Sequence, residues 1–137
     1  MMRITHLDHV QLAMPPGKEA QARAFYEDLL GIPNVEKPAN LAGRGGCWFE
    51  RGGLKVHLGV DVAFTPARKA HPAFVVEGLG ELTSKLEAAG FEVEKDEPLD
   101  RYERVYVADP FGNRLELMEL RPPHRGTVDT ERPKDDR

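Results

Sequence analysis

The sequence predicts an α+β fold built from two copies of one β-α-β-β-β module. The first observation is a six-residue pattern that occurs twice, as GLKVHL at 53–58 and as GNRLEL at 112–117. In both copies the first residue is glycine, the third is basic, the fourth is apolar and the sixth is leucine. The second observation is the order of elements around the pattern, because each copy reads as a strand, a helix and three strands. A repeat of this kind buries one face against its neighbour.

The first module begins with an alternating strand that Pro15-Pro16-Gly17 ends. Gly31 stands where a helix-closing glycine belongs, and Pro33 prevents the helix from continuing. Gly52-Gly53 has the length of a tight hairpin turn. The predicted elements are a strand at 6–14, a helix at 18–30, a short strand at 35–37, and paired strands at 46–51 and 54–60.

The second module repeats this order. Gly90 closes its helix as Gly31 closes the first, and Asp109-Pro110 followed by Gly112-Asn113 forms a turn before the last strand. The predicted elements are a strand at 71–76, a helix at 79–89, a short strand at 91–93, and strands at 104–108 and 114–119.

Composition sets the class of protein. The chain has 137 residues, with 40% hydrophobic and 31% charged, as expected for one globular domain covering residues 1–120. A net charge of −4 without a basic stripe argues against nucleic-acid binding, and no apolar run is long enough for a membrane span or a signal peptide. The single cysteine, Cys47, fits a small buried side chain in a cytoplasmic protein. The polar segment 121–137 is predicted to be a mobile tail.

Four residues are candidates for chemistry. Glu116 lies in an otherwise apolar strand, so it requires a basic partner, solvent or a metal ion. A lone strand histidine is most often an ordinary core or surface residue. Here, however, His9 precedes His57 by 48 residues, and His71 precedes Glu116 by 45. Two related modules would place these residues symmetrically, and three imidazoles with one carboxylate suit a divalent transition metal.

These residues lie in stretches that resemble a known family. The chain is similar to the vicinal oxygen chelate superfamily, which contains glyoxalases, bleomycin-resistance proteins and extradiol dioxygenases. The similar stretches are LDHV at 7–10, the helix end at 25–31, HPAFV at 71–75 and DPFGNRLE at 109–116. The resemblance implies two modules, at about 5–60 and 71–120, forming a cupped half-barrel of mixed sheet.

The resemblance also implies a site. His9, His71 and Glu116 are the expected ligands of a divalent ion (zinc, nickel, iron, manganese or cobalt). His57 replaces the glutamate that is the fourth ligand in glyoxalase I proteins, so it is either a further ligand or a catalytic base. The implied activity is of the lyase or isomerase type, in which the metal holds two substrate oxygens and stabilises an enolate or oxyanion. Candidate substrate contacts on the same strand faces are Gln11, Lys55 and Arg114.

Three other activities remain open. A metal-free drug-binding module would resemble bleomycin-resistance proteins, a ring-cleaving dioxygenase would use two histidines and one carboxylate, and a fosfomycin-type thiol transferase would use the same triad. The resemblance further implies a homodimer acting on a small molecule. We expect the Trp48-Phe49 hairpin or the 102–106 region near the subunit contact.

Overall fold

The computed structural model describes residues 1–121. It divides into two compact units. The first unit contains residues 1–72 and 108–114, and the second contains residues 73–107 and, of the described chain, residues 115–121. Each unit has a four-stranded mixed sheet, which confirms the predicted fold class. The predicted tail at 121–137 lies outside the described residues except for Arg121.

The first unit forms its sheet in the order β1-β4-β3-β2, with β1 parallel to β4 and the other pairs antiparallel. Its predicted helix at 18–30 begins as an α-helix and widens into π-helical turns, where the Leu30 N–H donates to the carbonyl of Phe25 at 3.0 Å. The elements are β1 (Val10–Met14), α1 (Glu19–Arg23), π-helical turns (Ala24–Leu29), β2 (Asn34–Val35), a 3₁₀ turn (Ala42–Arg44), β3 (Cys47–Arg51) and β4 (Leu54–Val60).

Strand alternation gives this sheet one apolar and one polar face. Phe49 of β3 is fully buried and stacks on Tyr26, with ring centroids 5.3 Å apart. Val56 and Leu58 of β4 are buried as well. The Phe49 ring of the predicted Trp48-Phe49 contact therefore fills the core of its own unit.

A buried hydrogen-bond network ties the segment 108–114 to the first unit. The Tyr26 hydroxyl donates to Asp109 Oδ2 at 2.6 Å, and Asn113 Nδ2 donates to the same oxygen at 2.9 Å and to the Ala13 carbonyl at 2.8 Å. Burial and the adjacent Asp109 carboxylate raise the pKa of Tyr26 well above its usual value. The phenol therefore stays a neutral donor, and the network is satisfied.

The second unit orders its strands as β5-β8-β7-β6, with β5 parallel to β8. Its helix is capped from the sheet, since both carboxylate oxygens of Glu119 accept from the N–H groups of Gly78 and Leu79 at 2.9 and 3.0 Å. Buried leucines and valines of the helix and strands form the core. The elements are β5 (Ala73–Val75), α2 (Leu79–Ala88), β6 (Val93–Lys95), β7 (Tyr102–Ala108) and β8 (Arg114–Leu120).

Two strands begin after the candidate histidines that they were predicted to contain. β1 begins at Val10 and β5 at Ala73, so His9 and His71 precede their strands instead of lying within them. Side-chain alternation indicates which face a residue would occupy, but a strand also needs backbone partners, and pairing starts only at Val10 and Ala73. Within residues 1–121, no helix is both long and apolar enough to cross a bilayer.

Candidate functional site

The pairing registers place the candidate residues at equivalent positions of the two sheets. Gln11 of β1 lies beside His57 of β4, and Ala73 of β5 lies beside Glu116 of β8. His9 and His71 each stand two residues before these positions in the chain. Side chains along a strand alternate between its two faces with a period of two. If β1 and β5 extended further, His9 would therefore lie on the same face as Gln11, and His71 on the same face as Ala73.

The first cluster is centred on His57 and consists of His57, Glu50, Trp48 and His9. His57 is only 4% exposed, although it lies on the polar face of its sheet. Its Nε2 lies 2.8 Å from Glu50 Oε2. The Trp48 ring is stacked on it with centroids 3.9 Å apart and planes 2° apart, and the His9 ring is stacked at 4.4 Å and 21°. The His57 cluster thus shields an imidazole from water and gives it one carboxylate partner.

His9 and Lys55 share a second carboxylate. His9 Nδ1 lies 3.0 Å from Asp8 Oδ2, and Lys55 Nζ lies 3.6 Å from Asp8 Oδ1. The hydrogen bond from His9 and the charge of Lys55 lower the pKa of Asp8. Asp8 is largely exposed, so these contacts orient the two side chains and contribute little to stability.

Gln11 lies across the backbone of β4 on the polar face. A Cβ added at Gly59 would stand 2.8 Å from Gln11 Nε2, which is closer than real contacts allow. Glycine at this position therefore leaves room for the Gln11 amide beside the His57 cluster.

The second cluster is centred on Glu116 and consists of Glu116, Arg104, Tyr106 and Asp96. Glu116 is 6% exposed, and its Oε2 accepts from an Arg104 terminal nitrogen at 3.2 Å. The same guanidinium donates to the Tyr106 hydroxyl at 3.0 Å, and its other terminal nitrogen lies 3.3 Å from an Asp96 carboxylate oxygen. The sequence left a basic residue, solvent or a metal ion open as the partner of Glu116. The structure places the basic residue Arg104 beside it.

Two further candidates, His71 and Arg114, occupy less enclosed positions. His71 Nδ1 donates to the carbonyl of Lys69 at 2.9 Å, so its lone pair is on Nε2. Arg114 begins β8 and is half-buried. Cys47 is buried, as predicted from the sequence, and burial raises the pKa of its thiol.

The donor set suits a divalent ion by its chemistry, since two or three imidazoles and a carboxylate are common ligands of such ions. Across residues 1–121, however, no three His, Cys, Asp or Glu side chains are grouped so that they could hold a metal ion. Within the first unit the structure brings His9 and His57 together, and within the second it pairs Glu116 with Arg104.

Three members of these clusters were not predicted as site residues, namely Glu50, Trp48 and Arg104. The two-residue turn at 52–53 sets Arg51 opposite Leu54, which puts Trp48 opposite His57. Glu50 then lies diagonally from His57, within reach of a long side chain. This signal was present in the sequence, since counting back from the turn gives the register.

Comparison with known proteins identifies the family. The family model described as the Glyoxalase/Bleomycin resistance protein/Dioxygenase superfamily matches residues 6–117. The chain therefore belongs to this superfamily. A search of curated proteins gave no significant match.

Solved structures agree with this assignment. A protein of the glyoxalase family from Bacillus anthracis is 45% identical, with a TM-score of 0.83, covering 88% of this chain and 99% of that one. A glyoxalase family protein from Enterococcus faecalis is 23% identical, with a TM-score of 0.66 and coverage of 86% and 100%. A fosfomycin resistance protein from Listeria monocytogenes is 17% identical, with a TM-score of 0.68 and coverage of 85% and 94%. The last two share the fold.

Proposed function

We propose that this chain is a divalent-metal-dependent enzyme of the lyase or isomerase type that acts on a small oxygenated substrate. Membership of the superfamily supports the reaction class. The observation that carries the proposal is the matched register, with His57 beside Gln11 and Glu116 beside Ala73. It gives polar, ionisable side chains to the same position of both sheets, where a packed strand would otherwise carry apolar ones.

The proposed ligands are His9, His71 and Glu116, with His57 as a fourth candidate. When bound, a divalent ion polarises substrate oxygens and stabilises negative charge that develops on them. In this proposal the Arg104 guanidinium, which donates to Glu116 Oε2, would compete with the ion for that oxygen. The metal is one of zinc, nickel, iron, manganese or cobalt.

The chain's own residues supply proton transfer and substrate contacts in this proposal. If His57 is not a ligand of the ion, it accepts a proton from the substrate, as a neutral imidazole can near neutral pH. Gln11, which lies across Gly59 beside this cluster, donates its amide hydrogens to a substrate oxygen. Lys55 and Arg114 bind an anionic group of the substrate, with Lys55 exchanging its ion pair with the exposed Asp8 for it.

A metal-free binding module is the second candidate, and the Arg104–Glu116 pair favours it. A buried carboxylate that already has a guanidinium partner needs no metal ion for neutralisation. In that case the polar faces would bind a small molecule without reaction, as in a drug-resistance protein.

Metal analysis separates the two candidates. Protein purified without a metal-affinity tag is dialysed against each candidate ion and measured by elemental analysis, as are Glu116→Ala and His57→Ala. The enzyme proposal predicts one ion per site in the parent protein and its loss in Glu116→Ala. Loss in His57→Ala as well would favour four ligands over three. Metal retained by Glu116→Ala would reject the ligand set, and no metal in the parent would favour the binding module.

We also propose that the protein is a cytoplasmic homodimer. In the first unit, Ile4 and Leu7 are 96% and 86% exposed, and in the second unit Val75 of the edge strand β5 is 69% exposed. Apolar side chains at an unpaired strand edge favour association with another chain. The free thiol of Cys47 suits a reducing compartment. Light scattering should give twice the mass of the chain, and a monomeric mass would reject the dimer.

A further inference from the structure

The contact between Glu50 and His57 assigns a role to a residue that the superfamily resemblance did not indicate. We propose that Glu50 is a positioning residue that keeps the ring proton of His57 on Nε2. Nδ1 is then the nitrogen whose lone pair acts on the substrate. Only this use of Nδ1 rests on the proposed function, since the location of the proton is a property of the first unit alone.

Hydrogen-bond chemistry fixes the direction of the contact. An ionised carboxylate has no proton to give, so Glu50 Oε2 can only accept. The distance from His57 Nε2 is 2.8 Å, within the range of a strong hydrogen bond to a charged group. Nε2 must therefore carry a hydrogen. A neutral imidazole has only one ring proton, which leaves the lone pair on Nδ1.

The stacked rings hold this arrangement. Trp48 and His9 cannot share one face of the His57 ring at centroid distances of 3.9 and 4.4 Å, so His57 lies between them. The two rings fix the plane of the imidazole. A half-turn of the ring about its Cβ–Cγ bond would put a carbon where Nε2 now meets Glu50, and the hydrogen bond would be lost.

Burial strengthens the preference for one tautomer. His57 is 4% exposed, and the Glu50 side chain is 25% exposed. A carboxylate in such a position loses part of its hydration, and an N–H donor offsets that loss only while the proton stays on Nε2. His71 differs, because its Nδ1 meets the Lys69 carbonyl and carries the proton. The chain thus contains both tautomers, and each serves as a reference for the other.

Long-range ¹⁵N–¹H correlation spectra of the imidazole rings test the proposal. The spectra are recorded on tag-free, metal-free protein at a pH of about 8.5, roughly two units above the usual imidazole pKa of about 6.5. The His57 signals are assigned by their absence in His57→Gln. We expect the nitrogen that couples to both carbon-bound ring protons, Nε2, to be the protonated one. His71 should show the opposite pattern.

Two variants sharpen the test. In Glu50→Gln the amide can accept from Nε2 or donate to it, so the His57 signals should shift towards a mixture of tautomers. Asp8→Asn is the matched control, because it removes the carboxylate beside His9 and should leave the His57 pattern unchanged. Neither result depends on whether the protein binds metal, so failure of the proposed function would leave this outcome intact.

The proposal is overturned if His57 in the parent protein carries its proton on Nδ1 or on both nitrogens. It is also overturned if the tautomer is the same in Glu50→Gln as in the parent. Should Glu50→Gln fail to fold, the spectrum of the parent protein still decides the question.

Discussion

The His57 cluster and the Glu116 cluster occupy the same position of two related sheets, yet they satisfy their central side chain differently. His57 is stacked between two rings and bonded to one carboxylate. Glu116 faces a guanidinium that is itself held by Asp96 and by the Tyr106 hydroxyl. The first cluster therefore depends on stacking and one hydrogen bond, and the second depends on opposite charges.

This difference shows that backbone position alone does not determine the chemistry of a repeat. A polar residue at the middle of the last strand is tolerated in both copies because a neighbouring strand supplies its complement. Glu50 lies on β3 of the first unit, and Arg104 lies on β7 of the second. A change that transfers the central residue without its complement should fail, and His57→Glu tests this. The other variants test the neighbouring groups in the two clusters and the cap of α2.

The largest effect is expected for His57→Glu, which puts the second unit's residue into the first. The new carboxylate would be buried beside Glu50, and an uncompensated buried charge costs about 3–5 kcal/mol. Two adjacent carboxylates raise the pKa of one of them, so the folded variant binds more protons than the unfolded chain. Its stability deficit should therefore be larger at pH 7.5 than at pH 5, as measured by urea unfolding. The neutral variant His57→Gln should show no such pH dependence, and equal deficits at both pH values would contradict the argument.

The second largest effect on stability is expected for Trp48→Ala. The substitution removes the ring that covers one face of His57, and removal of a large aromatic side chain costs about 3 kcal/mol. Tyr106→Phe in the Glu116 cluster removes only a hydroxyl that accepts from Arg104, which costs about 1 kcal/mol. Denaturant midpoints of the two variants give the comparison. A larger loss in Tyr106→Phe would mean that stacking is not what distinguishes the clusters.

The third variant, Arg104→Met, should change the affinity for a metal ion more than it changes the stability of the folded protein. Without the guanidinium, Glu116 loses a cation that competes with a metal ion for its Oε2, so affinity should rise by about tenfold, which corresponds to about 1.5 kcal/mol, the lower end for a hydrogen bond to a charged group. Isothermal titration with zinc measures it. Lys95→Met removes a positive charge from the same unit without touching Glu116 and serves as the control. An affinity that rises equally in both variants would show only a change in overall charge.

The smallest effect is expected for Glu119→Gln, at the start of α2. Its two backbone hydrogen bonds lower the pKa of Glu119 below the usual 4.5. A lowered carboxyl pKa contributes stability that is present above about pH 4.5 and is lost as pH falls through the folded-state value. The variant should therefore melt below the parent at pH 7, and the difference in Tm should shrink as the pH is lowered below about 4.5. Glu87→Gln, an exposed change on the same helix, should match the parent throughout this pH range.

Much of the fold was predictable from the sequence because its signals are local. Gly52-Gly53 fixed the first hairpin, and alternation placed Leu115 and Leu117 in the core. The ends of β1 and β5 were not predictable, because they depend on where a neighbouring strand begins to pair. The site was predictable in part. The repeat indicated His57 and Glu116, and the register counted back from the turn at 52–53 would have indicated Glu50 beside His57. Arg104 was not predictable in this way, because the polar segment before β7 leaves the start of that strand undefined in the sequence.

The network around Asp109 has a consequence for dissecting the protein. A fragment that stops at residue 72 would contain Tyr26 and Ala13 but would lack Asp109 and Asn113, which bond to them. A buried phenol and a carbonyl would then lose their partners, at a cost of about 1–3 kcal/mol each. Expressing the amino-terminal half alone should therefore yield a poorly folded product. A redesigned chain that joins residues 108–114 to residue 72 through a linker would supply the missing groups in one continuous piece.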